Sequence, residues 1–221
     1  MIDVWGPDHT AYVRRTKAAI AALGIEPERA EILIYQKVNL SEGDERVSLS
    51  KYGGEQIPLE DLLAAVGKDA ARFFYLTRPL ESSLDFDMKL ARQQNRENPV
   101  YSIRSAYERI KVALEEAGAQ KIPYTEPDVD LSTLLGENAH YLMQILAQFP
   151  ETVETAAALR QPHRVAGYLQ TLAEAILDYS DSTAIMGEEV NEAERLARLA
   201  LADASHVVME NSMVLLGMST D

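Results

Sequence analysis

Cysteine is absent from the 221 residues. Disulfides, thiolate zinc sites and cysteine nucleophiles are excluded with it, and a reducing compartment fits. Positive charge is scarce: 21 Lys and Arg stand against 35 Asp and Glu, a formal net charge of −14. Such acidity argues against a nucleic-acid partner in general, because phosphates reward Lys and Arg, and no DNA partner is expected. No unbroken apolar run approaches the roughly 18 residues of a membrane span. The opening Met1-Ile2-Asp3-Val4-Trp5 has neither the basic nor the apolar region of a secretory signal. A soluble cytoplasmic protein without a membrane partner is expected. The four histidines, His9, His140, His163 and His206, form no His-x-x-x-His pair, so no metal site is expected. A Gly-x-Ser-x-Gly nucleophile elbow is missing, as are internal repeats and low-complexity tracts.

What is present suits a folded domain. Hydrophobic residues make up 47% and charged residues 25%, an ordinary globular balance, and the length suffices for a core without staples. The charge is uneven. Residues 1–60 carry 7 basic and 10 acidic side chains, residues 61–120 carry 9 and 9, and residues 121–221 carry 5 and 16. A surface for a polyanion therefore belongs in the first two thirds, with the C-terminal part facing water.

The pattern reads first as β-α-β. A strand over Ile2 to Trp5 breaks at Gly6-Pro7, and Asp8 stands as N-cap of a helix from about His9 to Leu23, closed by Gly24. Residues 31–38 read as one strand and the stretch near Arg46–Leu49 as another; Lys51 to Gly54 is a loop. Strands are expected to stop there. Helices follow from Pro58 to Gly67 and from Asp69 to Leu76. Val100, Ile103, Tyr107, Ile110 and Leu114 form a 3-4-3-4 stripe on one helix opened by Pro99. Leu134 to Phe149 marks a further helix ended by Pro150, Pro162 opens another, and the last runs from about Asn191 to Leu216, ending at Gly217. Amphipathic helices in series describe a bundle.

Two loops can carry chemistry. Gly6-Pro7-Asp8-His9 sits at a strand-to-helix junction, where backbone N–H groups hold anions; Asp8 as a plain helix cap is the simpler reading. Ser48-Leu49-Ser50-Lys51-Tyr52-Gly53-Gly54 can bring an ammonium to a triphosphate or be an ordinary hairpin exit.

Taken together and in order, these segments resemble the C-terminal part of the arginyl-tRNA synthetase family, a class I aminoacyl-tRNA synthetase. Gly6-Pro7-Asp8-His9 followed by Tyr12-Val13 looks like the family's Gly-x-Asp-His strand end. Val47-Ser48-Leu49-Ser50-Lys51 falls where the family has Lys-Met-Ser-Lys. Val66-Gly67-Lys68-Asp69-Ala70-Ala71-Arg72 is similar to the segment that names the anticodon-binding helical domain. Leu84-Asp85-Phe86-Asp87 and Asn95-Arg96-Glu97-Asn98-Pro99-Val100-Tyr101 are its most specific part.

The resemblance implies a mainly α fold. A helical anticodon-binding bundle over residues 61–221 would follow a small α/β remnant of a Rossmann-like catalytic domain over residues 1–60. It implies arginine–tRNA ligase activity in a complete enzyme that uses Mg-bound ATP. Gly6, Asp8 and His9 would line the nucleotide pocket and Lys51 would stabilise the triphosphate. Arg92, Arg96, Arg104 and Arg109 would meet phosphates of the anticodon stem-loop of arginine tRNA. Tyr101 and Tyr107 would stack on its bases, with burial on the apolar stripe an equal reading for Tyr107. The family's first catalytic half, with its His-Ile-Gly-His-type signature, has no counterpart, so the chain is expected not to form the adenylate alone. Ser48 and Leu49 depart from the family's signature loop while Lys51 is kept. The alternatives are a cysteinyl-tRNA synthetase, a non-catalytic tRNA-binding or assembly module, and a helical protein with no RNA role.

Overall fold

The computed structural model describes residues 1–43, 45–46, 58–126, 129–187 and 190–220. Strands β1 (Ile2–Trp5) and β2 (Glu31–Ile34) pair in parallel, with Ile2 opposite Glu31 and Trp5 opposite Ile34. The connection between them is not the single helix expected. A 3₁₀ turn over Pro7–Tyr12 precedes helix α1 (Val13–Ala22). Pro7 holds its φ in the first turn and brings no N–H, and Gly6 in extended backbone takes the cap position. Asp8 falls inside that turn and makes no capping bond.

The single strand expected over 31–38 is two. Tyr35 N–H donates to Trp5 O at 3.0 Å and Gln36 N–H to Leu80 O at 2.8 Å. The chain thus leaves the first sheet and enters a second at β3 (Val38–Glu42). There β3 lies between β4 (Glu45–Arg46), antiparallel, and β5 (Leu84–Asp87), parallel. Strand β5 corrects the expectation that strands stop before residue 60. Leu84 and Phe86 are buried while Asp85 is exposed, a period-two pattern only four residues long. The β3–β5 pairing ties the first segment to the helices. Beyond Arg46, the rest of the expected second strand and its loop, Lys51 included, lie outside the described residues.

Helices α2 (Leu59–Val66) and α3 (Lys68–Tyr75) meet at Gly67, whose φ of 83° and ψ of 158° only glycine adopts without strain. Helix α4 (Met88–Ala91) is a single turn after β5, and α5 (Pro99–Ala119) carries the expected stripe, with Val100, Ile103, Tyr107 and Ile110 buried. Pro150 does not end a helix. Helix α6 (Glu137–Ala147) stops at Gln148, and Pro150 lies in the first turn of α7 (Phe149–Leu159), where its missing N–H has no partner to lose. Helix α8 (His163–Ser182) packs against α5, α6, α7 and α9 (Glu192–Leu216) and supplies the centre of the core with Leu169, Leu172, Ile176 and Leu177. By length and composition α9 is apolar enough to cross a membrane, although Asp203 and Glu210 interrupt its apolar run. Here it is a core helix, with Leu199, Leu201, Met209 and Met213 buried. Mainly helical, with small sheets at one end, the fold is the class expected.

Asp87 joins the sheet to the helices. One carboxylate oxygen accepts from the N–H groups of Lys89 at 2.8 Å, Leu90 at 3.2 Å and Gly43 at 3.0 Å, capping α4 and fixing the turn after β3. Desolvation pushes its pKa up, but the three N–H donors and the Lys89 charge outweigh it and hold the carboxyl below the usual range. A lowered folded pKa means stability that is present above the unfolded value, near 3.9, and lost as pH falls through the folded one. Asp87→Ala is therefore expected to cost about 1–2 kcal/mol at neutral pH, the upper part of the capping range. Urea melts of both proteins should show the gap shrinking below about pH 4. A gap that stays constant to pH 2.5 would refute the carboxylate's role.

Candidate nucleic-acid interface

A cleft of about 460 Å³ opens between the α2–α3 junction, the loop from α4 to α5 and the first turns of α5. Lys68, Arg92, Gln93, Gln94, Tyr101 and Arg104 line it. Its floor is built by Asn98, which is buried. Asn98 Nδ2 donates to Ala91 O at 3.1 Å and Gln93 O at 2.8 Å, and its Oδ1 accepts from Val100 N–H at 3.0 Å. One side chain thus caps α5 and holds the preceding loop against it. The residue stood in the quoted Asn-Pro motif, and an Asn before an N1 proline was the available signal for this role.

The expected residues separate into three groups. Arg92, Tyr101 and Arg104 share the cleft. Tyr101 is 39% exposed on the first turn of α5. Arg104 pairs with Asp69, which also accepts from Ser219 N–H at 3.0 Å and Ser219 Oγ at 3.3 Å. Arg92 pairs with Glu42 in β3. Gln93 Oε1 is buried in the cleft wall without a hydrogen-bond partner among the described residues, and buried acceptors are seldom left so.

Arg96 and Arg109 sit on the adjoining ridge, against the end of α8. Arg96 reaches Asp178 at 3.4 Å and Asp181 at 2.5 Å, and Arg109 reaches Asp181 at 2.5 Å. Hydrogen bonds from Arg109, then Arg96, hold the Asp181 carboxyl below its ordinary pKa.

Tyr107 is corrected. It is 2% exposed, stacks on the His206 ring at 5.0 Å and donates its hydroxyl to Thr220 O at 3.2 Å. No base can reach its ring. Close by, the chain after α9 is clamped: a Cβ at Gly217 would stand 2.6 Å from Arg72 Nη1, and Met218 is buried.

Gly6, Asp8 and His9 lie apart from the cleft, just past the C-terminal end of β1. In parallel sheets, ligands gather at that edge. The His9 ring stands edge-on to Trp5 at 6.4 Å and tilts against Tyr12 at 6.1 Å, around a depression of about 360 Å³ that Thr16 completes. Lys51 lies outside the described residues.

A second cleft, about 480 Å³, lies between α6–α7 and α8 and was not anticipated. Glu151, His163 and Arg164 line it, and burial, with the nearby Arg164 charge, lowers the His163 pKa. It carries one arginine beside a glutamate, whereas the first cleft gathers Lys68, Arg92 and Arg104 beside one aspartate, Asp69. Charge complementarity to a polyanion favours the first.

Comparison with known proteins identifies the family. Residues 103–220 match the DALR anticodon binding domain family. A curated arginine–tRNA ligase of Dehalococcoides mccartyi (strain CBDB1) is 40% identical over 221 residues, which is 100% of this chain and 39% of that protein. That of Geobacillus thermodenitrificans (strain NG80-2) is 41% identical over 99% of this chain and 39% of its own length. The chain thus spans about 39% of the length of these curated relatives. The solved arginyl-tRNA synthetase of Thermus thermophilus shares the fold with a TM-score of 0.76 at 21% identity, over 100% of this chain and 40% of that one.

Proposed function

Because this chain belongs to the DALR anticodon-binding domain family, we propose that it is the part of an arginine–tRNA ligase that holds the anticodon stem and loop of arginine tRNA. The observation that carries the reading is the cleft at the start of α5. It unites Lys68, Arg92 and Arg104 with an exposed tyrosine, Tyr101. RNA loops are recognised in this manner, by stacking of splayed bases on aromatic rings and hydrogen bonds to base edges, with cations on the backbone. Tyr101 takes a base, and Lys68 and Arg92 take phosphates, with Arg104 held beside them by Asp69. The ion pair of Arg92 is no obstacle. Pairs in water contribute about 0–1 kcal/mol, so a phosphate can replace Glu42.

ATP-dependent attachment of arginine belongs, in this reading, to the longer protein. Gly6, Asp8 and His9 face its nucleotide, and Lys51 steadies the triphosphate. The chain works in the cytoplasm, where tRNA is charged. On their own the 221 residues are expected to give no arginine-dependent ATP–pyrophosphate exchange, and measurable exchange would refute that division of labour. RNA binding is tested by titrating the chain with arginine tRNA and with an anticodon-altered version at fixed low salt. Tighter binding of the native anticodon, falling steeply as salt rises, is the result expected. Equal affinity for the two RNAs contradicts the reading.

A further inference from the structure

The pair Arg96 and Arg109 stands outside the cleft and is occupied by the chain's own carboxylates, Asp181 on both arginines and Asp178 on Arg96 at 3.4 Å. Arg96 comes from the loop before α5, Arg109 from the third turn of α5, and both converge on Asp181 at the end of α8. Each oxygen of that carboxylate accepts from a different guanidinium, Oδ2 from Arg96 and Oδ1 from Arg109. Two guanidiniums spaced for two oxygens on one anionic centre also fit the two non-bridging oxygens of a phosphodiester.

The carboxylate is held in place. Asn138 Nδ2 donates to Asp178 O at 3.2 Å and to Ser182 Oγ at 2.9 Å, fixing the last turn of α8 from the side of α6. All three charged side chains are about half exposed, so the cluster adds little to stability. It is also continuous with the cleft. Arg96 shares a loop with Arg92 and Gln93, and Arg109 shares a helix with Tyr101 and Arg104.

We infer that Arg96 and Arg109 form a backbone-phosphate site of the RNA interface and that Asp181 masks it, so that bound RNA displaces an internal competitor. This rests on the RNA reading above. The mask weakens the hold on RNA without altering which base is read, because every RNA that uses the two arginines displaces the same carboxylate. Its consequence is easier release of tRNA from this ridge.

The test is Asp181→Asn in the full chain, titrated with the anticodon stem-loop of arginine tRNA and with a 12-nucleotide oligouridylate at two salt concentrations. Affinity for the stem-loop is expected to rise about tenfold, the scale of two exposed ion pairs no longer broken on binding. The dependence on salt should steepen by about one counterion. Adding Arg96→Gln and Arg109→Gln to Asp181→Asn should abolish the gain. Glu154→Gln, which removes the same charge from the exposed face of α7, should leave affinity within twofold. Asp181→Ser serves if thermal melting shows the Asn variant impaired. Unchanged affinity and salt slope in Asp181→Asn, or an equal gain in Glu154→Gln, overturns the inference. The anticodon reading is judged separately, by whether the unmodified chain prefers the native anticodon. Loss of that preference with a tenfold gain in Asp181→Asn removes the reading and leaves the masked phosphate site.

Discussion

Replacing Phe86 with alanine is expected to lower the unfolding free energy by about 3–5 kcal/mol, the cost of emptying a large aromatic from a core. Phe86 has 0% exposure. Its ring stands edge-on to Phe74 at 5.2 Å and stacks on Tyr75 at 5.7 Å. Such aromatic contacts add about 0.5–1.5 kcal/mol each beyond burial. The residue is also the central anchor of β5, and β5 is the strand through which β3 reaches the bundle. In a thermal melt the loss amounts to roughly 10 °C for a chain of this size. Phe86→Leu should restore much of it, since volume rather than aromaticity dominates the site. A loss under 1 kcal/mol in Phe86→Ala would show that β5 is not an anchor.

The second large effect is on RNA. Tyr101→Ala is expected to weaken binding of arginine tRNA on the order of 30-fold, within the 1–3 kcal/mol that a base–aromatic stack contributes. Tyr101→Phe should keep most of the affinity, because the ring and not the hydroxyl does the stacking. Tyr107 gives the contrasting control. Tyr107→Phe removes the hydrogen bond to Thr220 O and should cost about 1 kcal/mol of stability, with RNA affinity unchanged. Affinity of Tyr101→Ala within twofold of the unmodified chain would remove the stacking platform from the account.

The contrast between these two tyrosines shows how far the sequence carried. Both stand on α5, six residues apart. Tyr107 falls in phase with Val100, Ile103 and Ile110, so helical periodicity offered burial as one of two readings, and burial is the one observed. Tyr101 falls off that stripe and stays open. The helices were legible for the same reason: their apolar spacing survives in one dimension. Strand β5 was not, because its partner β3 lies more than forty positions earlier and its own signal is two buried residues, Leu84 and Phe86. Helix α7 was hidden by Pro150, which has one meaning at the end of a helix and another in the first turn. At the interface, cations were legible and their partners were not. Glu42, Asp69 and Asp181 meet Arg92, Arg104 and Arg109 across 50, 35 and 72 positions. Only the packing of α3, α5 and α8 and the β3–β5 pairing bring them together.

Amide hydrogen exchange of the whole chain, with and without the anticodon stem-loop of arginine tRNA, tests the central claim most directly. The stem-loop should slow exchange over residues 66–70 and 91–104, the walls of the cleft at the start of α5, and leave the cleft between α7 and α8 unchanged. Protection confined to residues 149–171, or none anywhere at saturating RNA, would contradict the placement of the anticodon on this surface.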